Sequence, residues 1–124
     1  MSNTMFNVAI DCNDLSAQIE FWSRVMETPV AFSDDHEAVI EFPDGPNLFF
    51  QRVPEPKTVK NRVHVCLRPS RLRELEVARL VDVGATVVSD HRTPDGAGWV
   101  VLADPEGNEF CVLRSDAERE AQQS

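Results

Sequence analysis

The side chains in this chain best suited to chemistry are a histidine, three cysteines and a few carboxylates placed on strand-like runs. His64 lies in Asn61-Arg62-Val63-His64-Val65-Cys66-Leu67, between a proline-rich connector and a helix-start signal. Strand alternation puts His64, Cys66 and Arg68 on one face. An imidazole there is suited to proton transfer near neutral pH or to metal ligation, with a hydrogen-bonded structural histidine as the bland reading. His36 and His91 fall in polar turns and are read as exposed.

An earlier run, Asn7-Val8-Ala9-Ile10-Asp11-Cys12, stands in the same relation to a following helix. Its alternation sets Asn7, Ala9 and Asp11 on one face and Val8, Ile10 and Cys12 on the other. Near the end of the chain Glu109 alternates onto the face of Cys111. If the two first strands lie side by side, Asp11 shares a cleft with His64 and Arg68, either as an Asp-Arg pair or as the partner of a histidine general base. Glu109 is the other candidate carboxylate. Trp99, Phe49 or Phe50, and Leu113 are candidates for an apolar lining.

Cys12, Cys66 and Cys111 are an odd number at wide spacings, with no Cys-x-x-Cys pair of the structural-zinc kind. They are read as free, mostly buried small hydrophobes inside strands.

Positioning these residues requires regular elements, and the pattern supplies them twice. After the strand 6–12, Asp14 offers a helix N-cap, and Leu15, Ile19, Trp22 and Met26, joined by Phe21 and Val25, give one apolar stripe to about Glu27. Thr28-Pro29 ends that helix. Strands follow at 30–33, 38–42 and 48–53, with Asp34-Asp35 and Pro43-Asp44-Gly45 as turns. Prolines at 54 and 56 exclude a central strand, which makes residues 54–60 a linker. The second half reads as a strand 62–68, a helix 71–83 started at Pro69-Ser70 and capped at Gly84, and strands at 86–89, 98–103 and 109–113. The polar tail 115–124 is read as frayed or as a short helix.

The expected fold is α+β, two paired β-α-β-β-β modules forming a curved mixed sheet around a cleft. The expected domain is single, spanning 1–124, with module one at about 5–53 and module two at about 61–114. One helix cannot cover both faces of a four-stranded sheet, so each module leaves a face open for a ligand.

Composition narrows the partners. With 21 acidic against 12 basic residues the formal charge is -9, which disfavours nucleic acid and anionic lipid surfaces. No run approaches a membrane span, and the first residues lack a signal peptide's basic start and apolar core. The cytoplasm is the expected compartment. Phosphate loops, nucleophile elbows and zinc-protease helices are missing from the sequence. Arg52, Lys57, Lys60 and Arg62 form a basic cluster around the linker, read as solvated surface.

The chain resembles the vicinal oxygen chelate superfamily, the glyoxalase, bleomycin-resistance and extradiol-dioxygenase group, in its small glyoxalase-like branch. The resemblance rests on Asp14 and Phe21-Trp22, on Lys60 through His64, on Gly84-Ala85, and on Gly98 through Cys111 with its Asp104-Pro105-Glu106-Gly107-Asn108 loop. It implies two β-α-β-β-β modules, commonly dimeric, and a divalent metal held by histidine, glutamine or glutamate. The implied positions fall on Asn7, His64, Cys111 and either Gln51 or Phe50. Only His64 is the usual type. A set of Asn7, Gln51, His64 and Cys111 has no carboxylate and suits magnesium or manganese poorly.

The sequence therefore points to a small-molecule-binding, glyoxalase-like protein with a degenerate metal site. Asn7, Gln51, Trp99, Cys111 and Arg68 are the expected ligand contacts, and a homodimer is the expected state. No metal or other cofactor is expected, zinc on His64 and Cys111 being the divalent alternative. The other functional readings are a lyase or isomerase acting on a carbonyl compound through His64, helped by Asp11 or Glu109, and a drug-sequestering resistance protein.

Overall fold

The computed structural model describes residues 2–123 and divides into two compact units, Met1–Lys57 and Thr58–Ser124. The boundary falls within the proline-containing segment 54–60.

Module one runs β1 (Asn7–Cys12), α1 (Leu15–Met26), β2 (Phe32–Ser33), β3 (Glu37–Ile40) and β4 (Asn47–Arg52), with sheet order β1-β4-β3-β2. β1 and β4 pair in parallel, in register from Asn7 against Asn47 to Cys12 against Arg52. The crossover that parallel pairing needs includes α1. Asp14 caps that helix, its carboxylate accepting the Ala17 N–H at 3.1 Å. The helix ends with Glu27 in the left-handed region and the Thr28 N–H bonded back to the Ser23 carbonyl at 3.0 Å. Its apolar stripe packs on β3 and β4, burying Phe21, Trp22 and Val25 with Ala38, Ile40, Leu48 and Phe50. Each large side chain so buried contributes about 1.5–3 kcal/mol. The Phe21 and Trp22 rings meet edge to face at 5.5 Å.

Module two repeats the plan with β5 (Val65–Leu67), α2 (Arg73–Asp82), β6 (Thr86–Asp90), β7 (Trp99–Ala103) and β8 (Glu109–Leu113), in sheet order β5-β8-β7-β6. Leu80 of α2, Val100, Leu102, Phe110 and Val112 are buried together as its core. The fold is thus the expected α+β arrangement of two β-α-β-β-β modules, each with a four-stranded mixed sheet.

Two local readings change. The strand expected over 62–68 contracts to Val65–Leu67, because the Asn61 side chain takes the Glu109 N–H at 3.1 Å and reaches the Val63 carbonyl at 3.3 Å. A side chain there substitutes for ladder bonds. The second helix starts at Arg73, not 71, and Leu72 at its N-cap supplies no side-chain bond. The Arg73 N–H goes instead to the Glu118 carboxylate at 2.8 Å. Glu118 belongs to α3 (Asp116–Gln123), which begins in a capping box: Ser115 Oγ accepts the Glu118 N–H at 3.1 Å, and the Glu118 carboxylate accepts the Ser115 N–H at 2.9 Å. Burial opposes the Glu118 charge, but these backbone donors outweigh it and hold its pKa below the usual value.

Candidate functional site

In module one the face opposite α1 carries rows set by strand register. Asp11 lies beside Gln51, and Gln51 beside Glu37, while Ala9, Phe49 and Val39 form a second row. Asn7 stands beside Asn47 on the same face. The ambiguity between positions 50 and 51 resolves by packing. Phe50 is fully buried on the α1 side and Gln51 is exposed on the other, since neighbouring residues of a strand point to opposite faces. Asn7 is only partly buried, but its side-chain Oδ1 is shielded from solvent and has no hydrogen-bond partner among the described residues. An acceptor so placed costs about 1–3 kcal/mol until a donor meets it.

Two open depressions in module one, about 380 and about 590 Å³, gather around Asn13 and Arg52 instead. The acidic residues at the first are partly occupied with local structure: the Asp34 carboxylate accepts the N–H groups of His36 and Glu37 at 2.8 and 2.9 Å. These bonds hold its pKa below the ordinary carboxylate value. None of the candidate ligand contacts lines either depression.

In module two, β5 and β8 run parallel with Cys66 directly beside Cys111. His64, two residues before Cys66, falls on the same face. The His64 ring nitrogen, Cys66 Sγ and Cys111 Sγ lie within 4.8 Å of one another. Cys111 is buried, as is Cys12, whereas Cys66 is exposed beside His64. The thiols are thus free and mostly interior, as expected, with Cys66 the exception because it lies on the three-residue strand β5, on the face opposite the packed core. Burial pushes the Cys111 thiol up to about 11, helped by neighbouring Cys66. A thiol held that high stays protonated and is a poor nucleophile at neutral pH.

The remaining candidates in this module are engaged by neighbours. The Glu109 carboxylate forms an ion pair with Lys60. The Arg68 guanidinium donates to the Arg114 carbonyl at 2.8 Å and approaches Asp116 at 3.7 Å. Trp99 pairs with Leu113 in the β7–β8 register and stacks on the His91 ring at a 4.9 Å centroid distance. It is 42% exposed, so part of the side chain stays open to a ligand. His36 and His91 are exposed, as expected of turn histidines.

Cys66 was not among the expected catalytic, ligand-contact or metal positions, and Arg73 was not singled out by the sequence at all. For Cys66 the signal was its alternation with His64. Arg73 is buried, and its guanidinium donates to the carbonyls of Gly98 at 2.8 Å and Gly96 at 2.7 Å. It thereby ties the loop before Trp99 to α2, and nothing local in the sequence marks a helical arginine as a loop clamp.

The residues at the implied metal positions do not fit a hard divalent ion. They are two amides, an imidazole and a thiol with a raised pKa, and the nearest carboxylate in module two, Glu109, is held by Lys60.

A family model described as a glyoxalase-like domain matches residues 7–113. Among solved structures, a glyoxalase/bleomycin resistance protein/dioxygenase family enzyme from Burkholderia phytofirmans is 17% identical with a TM-score of 0.71, over 90% of this chain and 98% of that one. A bleomycin-binding protein in complex with bleomycin is 17% identical with a TM-score of 0.65, covering 93% and 100% of the two chains. Lactoylglutathione lyase from Agrobacterium tumefaciens is also 17% identical at a TM-score of 0.65, covering 90% and 93%. At these identities the likeness is one of fold. Comparison with curated proteins gives no match.

Proposed function

The chain belongs to the glyoxalase-like domain family, and from that premise we propose that it binds a small organic molecule without the family's usual metal chemistry. The observation that carries this reading is the donor set at the four implied positions. Asn7 and Gln51 in module one, and His64 and Cys111 in module two, offer hydrogen bonds but no carboxylate. In module one the shielded Asn7 Oδ1 asks for a donor and the Gln51 amide is exposed, and in module two Trp99 is partly exposed. Each module by itself thus offers groups that suit a flat, partly polar ligand. A structural neighbour is a bleomycin-binding protein, which makes sequestration of a drug-like molecule one form of the same reading. A cytoplasmic homodimer remains part of the proposal.

Catalysis is the second reading: His64 as a base on a carbonyl compound, assisted by Asp11 or Glu109. The exposure of His64 supports it, while the Lys60–Glu109 pair removes Glu109 as a ready partner.

A thermal-shift panel of aromatic, carbonyl-containing and glycopeptide compounds, followed by calorimetry on the hits, tests both. Binding reduced about tenfold or more by Trp99→Ala, with the ligand recovered chemically unchanged, supports the binding reading. Turnover lost on His64→Ala with a titration near neutral pH replaces it with catalysis. Hits whose affinity is indifferent to Trp99→Ala and to His64→Ala refute the assigned surface.

A further inference from the structure

We propose that His64, Cys66 and Cys111 form a site for a thiophilic d10 cation, zinc(II) or copper(I), built wholly within module two. A single zinc holding two thiolates and an imidazole needs donor atoms about 3.5–4 Å apart, from metal–sulfur and metal–nitrogen bonds of about 2.3 and 2.0 Å. The three donors already lie within 4.8 Å of one another, so side-chain rotation of under about 1 Å brings them to ligating distance. Register makes the cluster durable: Cys66 and Cys111 are direct partners on parallel strands, and His64 follows the same face two residues earlier. Two soft sulfurs and an imidazole select zinc or copper(I) over magnesium, calcium or manganese.

On binding, each thiol releases its proton to solvent, and the cation takes the two sulfur lone pairs and one ring-nitrogen lone pair. Because His64 and Cys66 are exposed, a fourth position faces outward and is open to a ligand atom, as in three-ligand zinc sites. Cys66 lies outside the four implied positions. The site differs from the family pattern in its sulfur content and in needing neither Asn7 nor Gln51. It shares His64 and Cys111 with the organic-ligand reading, but the two fail separately: that reading is tested at Trp99 and this one at Cys66.

The test uses the full-length protein, reduced and stripped of metal. Zinc(II) and copper(I) are each titrated against a chromophoric chelator, and cobalt(II) serves as a spectroscopic substitute for zinc. The expected result is one equivalent bound and a thiolate-to-cobalt charge-transfer band. Cys66→Ser, a change at an exposed position, should weaken binding about tenfold or more and, with one thiolate of two remaining, cut that band to about half or less. Cys12→Ala, with the other two thiols intact, should leave both unchanged. The chelator competition shows which cation is held more tightly. Substoichiometric binding of both metals overturns the proposal, as does a Cys66→Ser protein, folded by circular dichroism, that binds like wild type. A Cys66–Cys111 disulfide that persists under strong reductant also overturns it, since the donors are then consumed.

Discussion

Gly98 and Gly107 form a matched pair for testing how the start of β7, which bears Trp99, is built. Their φ angles are 83° and 86°, so alanine at either position meets a similar backbone penalty, about 1–2 kcal/mol. Their surroundings differ. A Cβ on Gly98 would fall 2.0 Å from the His91 carbonyl oxygen and 2.9 Å from its carbon, whereas a Cβ on Gly107 meets nothing within 4 Å. At Gly98 the obstruction is backbone and must retreat by about 1 Å to restore contact distance. That motion pulls on two bonds, the His91 N–H to the Trp99 carbonyl and the Arg73 guanidinium to the Gly98 carbonyl, both 2.8 Å. Their loss is worth about 1 kcal/mol for the backbone bond and about 1.5–3 for the charged one. Gly98→Ala should therefore destabilise by about 3.5–6 kcal/mol and Gly107→Ala by about 1–2. Urea unfolding followed by far-ultraviolet circular dichroism measures both, and tryptophan fluorescence should shift only in the Gly98 variant, where the His91–Trp99 stack is disturbed. Equal losses in the two variants, to within about 0.5 kcal/mol, would refute the steric reasoning.

Three further outcomes follow, centred on the same module. Asp104 is buried, and its carboxylate accepts the N–H groups of Glu106 and Asn108, both at 2.9 Å, and the Asn108 side chain at 3.0 Å. Asp104→Ala should cost about 2–4 kcal/mol with an unchanged denaturant slope, and a loss under about 0.5 would show that the turn holds itself. In metal-free reduced protein, iodoacetamide should label exposed Cys66 well before buried Cys12 and Cys111, as peptide mapping can check. The Cys111 pKa is raised in the fold, so its contribution to stability is complete below about pH 9 and is lost as pH climbs towards about 11. The stability difference between wild type and Cys111→Ala should shrink across that window, and a constant difference would contradict the burial of the thiol.

Much of the fold was legible because its signals are local. The Asp14 cap, the α1 stripe, the Gly84 cap and the Asp104–Asn108 turn each depend on neighbours a few residues away, and the second module repeats the order of the first. The readings that shifted involve distant partners. Asn61 gives up its strand role to a bond with Glu109, 48 positions on. The N-terminus of α2 is satisfied by Glu118, 45 positions on, in a tail whose polarity left fraying and a short helix both open.

The candidate site divides in the same way. By itself the sequence determined which residue types occupy the implied positions, and hence that a carboxylate-poor set stands where a divalent ion is usual. Alternation also determined that His64 and Cys66 share a face. Only the tertiary structure decided that Phe50 goes under α1 and Gln51 outward, that Lys60 takes Glu109, and that Cys111 comes beside Cys66. Periodicity sets which side of its own strand a residue occupies, but not which strand lies next to it. That choice follows from parallel register and core packing over many tens of residues, and it turns two separate cysteines and a histidine into one cluster.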